Sequence, residues 1–132
     1  MTRVALISPP FESVPPRFYG GTERVVYNLC NGLKTAGVDV TLFASGDSRA
    51  GVHTYPVVEE ALRLRATSVR DPSVFNMKML GFIARHAEEF DLIHNHHDYW
   101  MLQLSRMCPI PLVTTLHGQL DLSDLDQVFQ EY

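Results

Sequence analysis

The chain has 132 residues, 45% of them hydrophobic and 20% charged, which suits one packed core and is short for two. Eleven Lys and Arg against fifteen Asp and Glu leave a net charge of −4, and the cations read as scattered, which excludes nucleic acid as a partner. Cys30 and Cys108 form no motif and the N-terminal "VALIS" run is too short for a signal or a membrane span, so the expectation is a reduced, cytoplasmic protein.

Residues 3–8, "RVALIS", form a short β-branched and apolar run stopped by Pro9-Pro10, the pattern of a buried strand. Residues 9–21 carry four prolines and two glycines and predict a stiff loop. "TERVVYNLCNGLKTAG" then predicts a helix with Val25, Val26, Leu29, Cys30 and Leu33 on one face, Lys34 near its negative end and Gly37 as a left-handed terminator. Residues 38–44 form a second strand. "HTYPVV" is a weaker one, placed at a sheet edge by Pro56.

Asp71-Pro72 marks a helix start, a capping side chain followed by a proline at the first helical position. That helix is expected to reach about Phe90, with Phe75, Met77, Met79, Phe82, Ile83 and Ala87 inward. Residues 91–96 form the next strand, "YWMLQLSRM" a short helix, residues 111–117 another strand and "SDLDQVFQEY" a final helix. Strands alternating with helices mean βαβ units. The expected fold is therefore α/β, a mostly parallel Rossmann-like sheet with helices on both faces.

Ligands bind such sheets beyond the carboxyl ends of the strands. Three unusual segments fall there: the proline loop with "GGTE", the "HNHHD" stretch, and His117-Gly118. Gly20 and Gly21 open a helix and let backbone N–H groups approach an anion, although Glu23 in the same turn repels one. Neither a dinucleotide fingerprint nor a P-loop is present. Strand alternation puts His94 and His96 on one face, with His94 deeper and His96 nearer the mouth, and turns His97 toward solvent. Asp98 is expected to cap the following helix, Tyr99 and Trp100 to be core, and His53 and His86 to be surface residues.

The spacing H-x-H-x-D also resembles that of metallo-β-lactamase-like zinc hydrolases. Their signature continues with a histidine where Tyr99 stands, and their sandwich begins with antiparallel strands. No carboxylate pair argues for glycoside hydrolysis and no serine elbow for an esterase. A non-catalytic module that binds a sugar or a protein is a further alternative.

The stretch "ALISPPFESVPPRFYGGTERVVYNLCNGLKTAGVDVTLFASGDS" resembles the start of retaining glycosyltransferases of family 4. Gly20, Gly21, Glu23 and Val26 match that family's "GG-x-E-x-x-V", and Leu33, Gly37, Val40, Leu42, Phe43 and Ala44 match its next segment, with Val38 replacing the usual histidine. "DLIHNHHDYW" and "VTTLHG" resemble two later motifs, in order. The resemblance implies a GT-B architecture of two Rossmann-like domains, of which residues 1–132 are the N-terminal, acceptor-side one, incomplete at its C-terminal end and without the donor-binding domain.

The implied parent reaction moves a sugar from a nucleotide-sugar to an acceptor hydroxyl with retention, and the isolated chain is expected to be inactive alone. By the same resemblance His96 is the catalytic histidine near the donor sugar. Gly20 and Gly21 approach the donor diphosphate or sugar, His117 lines the cleft, and Glu12, Arg17 and Tyr19 face the acceptor. No cofactor or metal is expected. The implied partners are a nucleotide-sugar, bound mainly by the missing domain, and an acceptor sugar, lipid or small molecule. Self-association through the exposed cleft wall and a peripheral membrane location of the parent enzyme are also expected.

Overall fold

A computed structural model describes all residues, 1–132. Five parallel strands make one sheet: β1 (Arg3–Ile7), β2 (Asp39–Ser45), β3 (His53–Val58), β4 (Leu92–Asn95) and β5 (Leu112–Thr114), in the order β3-β2-β1-β4-β5. Alternation sends Leu6, Val40, Leu42 and Ala44 to one face. There Val26 and Cys30 of helix α1 (Gly21–Thr35) cover them. Ala5, Ile7, Phe43 and Ile93 point the other way, against Met79 and Ile83 of α2 (Pro72–His86) and Leu104 of α3 (Leu104–Met107). The mostly parallel, two-faced α/β architecture is therefore present.

The local signals act as the chemistry requires. Gly37 has φ 79°, where a Cβ is disfavoured, and ends α1; Asp71 Oδ1 accepts from Ser73 N at 3.0 Å and starts α2. Pro56 lies in edge strand β3, where the register with β2 shifts. Helix α2 stops at His86, and a 3-10 turn (Ala87–Glu89) carries the chain to Phe90.

Several expectations change. Val25 is exposed and Glu23 buried, because Val14 of the proline loop packs beside Val26. Met77 is exposed, while Asn76 takes an inward place on α2. His86 is half-buried among Tyr55, Phe82 and Phe43 and bonds Glu89 Oε1 at 2.6 Å. The segment read as one helix after Asp98 is a 3-10 turn (Asp98–Met101) followed by α3, and α4 (Leu125–Glu131) closes the chain with no buried residue.

Candidate functional site

Strand order reverses between β1 and β4, since β2 and β3 follow β1 to one side and β5 follows β4 to the other. Loops that leave neighbouring strands in opposite directions open a crevice at that point. A cavity of about 490 Å³ occupies it. Its walls are Tyr19, Gly20, Gly21 and Glu23 from the β1–α1 connection, Arg63 from the loop after β3, His97, Asp98 and Trp100 after β4, and His117 after β5. Segments more than ninety residues apart in the chain therefore meet on one rim, as the three strand ends foreshadowed.

The β1 side is built by close approach. A Cβ at Gly20 would lie 2.7 Å from Pro16 Cβ and 2.8 Å from Glu23 Oε2, so the loop folds against the first turn of α1 only with glycine there. A Cβ at Gly21 would meet nothing within 4 Å. Gly20 offers α1 no capping side chain, and the Glu23 carboxylate accepts from its own backbone N–H in the first turn at the cavity wall. Glu23 is 6% exposed, and burial first, then the neighbouring Glu12, raises its pKa.

Glu12, expected to face the acceptor, is instead buried, and its Oε1 accepts from Arg63 Nη1 at 2.9 Å. Its place is behind Arg63, which reaches the cavity. Arg17 is exposed and not part of the cavity wall, whereas Tyr19 is.

Asn95, fully buried at the end of β4, shapes the histidine turn. Its Oδ1 accepts from His97 N at 2.8 Å, and its Nδ2 donates to Asp98 O at 2.8 Å. These bonds hold Asp98 at φ 43°, a left-handed conformation that Asp tolerates better than most side chains. Asp98 does not cap the next helix. Its Oδ1 accepts from His117 N at 2.7 Å and Gly118 N at 3.0 Å, tying the β5 end to the β4 end.

With the strand ended at Asn95, alternation no longer applies, and His97 turns inward rather than to solvent. It is 5% exposed and bonds Asn76 Oδ1 of α2 at 2.6 Å. His96, expected at the mouth, is 1% exposed and lies behind the wall. Its Nδ1 is 2.8 Å from His117 Nε2, and its Nε2 is buried without a partner. His94 packs beneath it with ring centroids 4.2 Å apart, its Nε2 2.9 Å from Thr115 Oγ1. Burial, with His94 and His117 adding repulsion, lowers His96 to about 4; burial lowers His97 to about 4, against a small upward pull from Asp98. Both rings are neutral at pH 7. Tyr99 and Trp100, read as core, stack on each other at 5.0 Å, with Trp100 exposed on the rim.

Glu23, Arg63, Asn76, His97, Asp98 and Trp100 are thus site residues that the sequence reading did not select. His97 and Asp98 carried a signal in their position directly after a strand, and Glu23 in its place in the "GGTE" segment. Arg63 and Asn76 come from distant segments that nothing local marks.

No curated protein matches the chain significantly. Among solved structures, it is similar to AviGT4, a glycosyltransferase involved in avilamycin A biosynthesis (TM-score 0.60, 23% identity, covering 89% of this chain and 32% of that one). It is also similar to MurG from Acinetobacter baumannii (0.61, 12%, 98% and 39%). A third is sucrose-phosphate synthase from Thermosynechococcus elongatus (0.60, 18%, 96% and 37%). At these identities the likeness is one of fold, half of a GT-B architecture, and the chain spans about a third of each structure's length. The family described as Glycosyltransferase Family 4 matches residues 19–132, a span that holds the glycine corner, the histidine turn and His117. The chain belongs to glycosyltransferase family 4.

Proposed function

We propose that this chain is the acceptor-side half of a transferase that moves a sugar from a nucleotide-sugar to an acceptor hydroxyl with retention. The observation that carries the reading is the cavity at the strand-order reversal, walled by Gly20, Gly21, Glu23, His97, Asp98 and His117. The donor is held mainly by the partner domain that completes a GT-B cleft. The wall described above meets the acceptor and the reacting end of the donor.

A sugar losing its nucleotide diphosphate develops oxocarbenium character, and catalysis then rests on positioning and preorganised dipoles. The neutral rings of His96 and His97 suit that demand, because they add no repulsion to a cationic centre. His117 reaches the cavity, and His96 behind it fixes the ring through the 2.8 Å bond, so His96 acts at the reacting centre through His117. Glu23, with no side-chain partner of its own, is placed to accept hydrogen bonds from acceptor hydroxyls. Its charge disfavours a phosphate at the Gly20–Gly21 corner, which points that corner to a neutral polyhydroxylated acceptor rather than to the donor diphosphate.

The test is a nitrogen-15 NMR titration of the chain with neutral hexoses and cyclitols and, separately, with inorganic phosphate. Polyol-induced shifts at the amides of Gly20, Gly21, His117 and Gly118, lost in Glu23→Ala, are the expected result. Shifts there with phosphate alone, or none with any polyol, overturn the acceptor assignment.

A further inference from the structure

Trp100 is the chain's one tryptophan. Tryptophan is highly buried on average, yet here the side chain packs in neither half of the core and stands 38% exposed on the cavity wall. The local chain explains the position. Trp100 N donates to His97 O at 3.3 Å in the 3-10 turn Asp98–Met101. Three residues complete each turn of such a helix, and Met101 points into the core, so Tyr99 and Trp100 are turned away from it.

Tyr99 backs the indole: the two rings stack with centroids 5.0 Å apart and planes 29° apart. Tyr99 is itself half-buried and lines a separate apolar pocket with Leu116, Leu120 and Leu122, which holds it in place. One face of Trp100 is therefore covered and braced, while the exposed part of the ring borders the cavity. Trp100 enters from the end of β4 and Glu23 from the first turn of α1. An aromatic ring and a buried carboxylate with no side-chain partner thus serve one space of about 490 Å³, a size that suits a small molecule.

An aromatic face and a carboxylate on one cavity describe a ring-shaped polyol. A pyranose or cyclitol carries its hydroxyls around the rim and C–H groups on its faces. The rim needs hydrogen-bonding partners, which Thr22, Glu23 and His117 supply, and a face stacks on an aromatic ring with release of water from both. An open-chain polyol has the hydroxyls but no rigid face. A lipid tail would need a longer apolar surface than this mostly polar wall offers. We infer that Trp100, braced by Tyr99, is the platform on which the ring of the acceptor lies, and that the acceptor is a cyclic polyol. The inference rests on the acceptor reading of the cavity given above and names the class of acceptor.

With one tryptophan, indole emission reports this position alone. The test titrates the chain with ring polyols (myo-inositol and the methyl pyranosides of glucose, galactose and mannose) and with the open-chain hexitols sorbitol and mannitol. Tryptophan emission is read beside the amide shifts of Gly20 and Gly21. At least one ring polyol is expected to give a saturable emission change together with the amide shifts, and both hexitols none. Trp100→Ala weakens the amide-monitored binding by about tenfold, and Trp100→Phe, which keeps a ring face, restores most of it. Trp100 is exposed, and circular dichroism checks that both variants fold. Amide shifts without any emission change, equal responses to rings and hexitols, or wild-type binding by Trp100→Ala overturn the platform and leave the acceptor reading standing. If no polyol moves either the amides or the emission, both fail.

Discussion

Acid should destabilise this domain as soon as pH falls below the ordinary histidine range. His96 and His97 are buried neutral with folded pKa values of about 4, against an ordinary 6.5. The folded state therefore binds fewer protons than the unfolded one between those limits. The stability these rings contribute is whole above pH 6.5 and is lost as pH falls toward 4. Worked from those two values, the loss between pH 7 and pH 5 is about 2 kcal/mol for each ring and about 4 kcal/mol for the pair. His94, lowered first by burial and then by His117, adds to it in the same direction. For a chain of 132 residues, with about 2 cal/mol/K per residue of unfolding entropy, 4 kcal/mol is a fall in Tm of roughly 10–15 °C. Calorimetry across that pH range reads it directly. His97→Gln, whose amide still donates to Asn76 Oδ1, should remove about half of the pH slope. A Tm that is flat from pH 7 to pH 5, or a variant with the wild-type slope, refutes the burial of neutral imidazoles as its cause.

Other substitutions separate the parts of the site. Asn95→Ala strands the buried His97 N–H and Asp98 carbonyl and should cost about 3 kcal/mol, read from denaturant unfolding. Gly20→Ala, with its Cβ driven to 2.7 Å from Pro16, should destabilise by about 1–3 kcal/mol, whereas Gly21→Ala, with open space, should be neutral or slightly stabilising; equal effects would refute the close-approach account. Asp98→Ala frees the amides of His117 and Gly118, whose hydrogen exchange should quicken about tenfold or more while that of β1 stays unchanged.

Much of the fold was legible because its determinants are local. The β-branched runs, Gly37 after α1, the Asp71-Pro72 start and Pro56 at an edge each act within a few residues. The convergence of strand ends followed from topology rules alone. What stayed hidden depends on neighbours distant in sequence. Val25 fits the apolar face of a helix by spacing, yet the proline loop brings Val14 to the core and leaves Val25 at the cavity. His96 keeps the face it shares with His94 but is buried rather than at the mouth, and His97 lies two residues past the point where the strand ends, where alternation no longer places it. Asp98 has the chemistry of a helix cap, but the β5 turn offers it two amides, and those win. Glu12 and Arg17 were chosen from a loop whose path only packing determines.

On the function proposed above, this wall, completed by a donor-binding domain, supports retaining sugar transfer. The most direct measurement pairs the chain with a family donor-binding domain, supplies a nucleotide-sugar and a polyol acceptor, and reads the anomeric configuration of the product by proton NMR. A product with the donor's configuration, formed severely more slowly with His96→Ala, is the expected result. An inverted product, or transfer by His96→Ala at the wild-type rate, would contradict it.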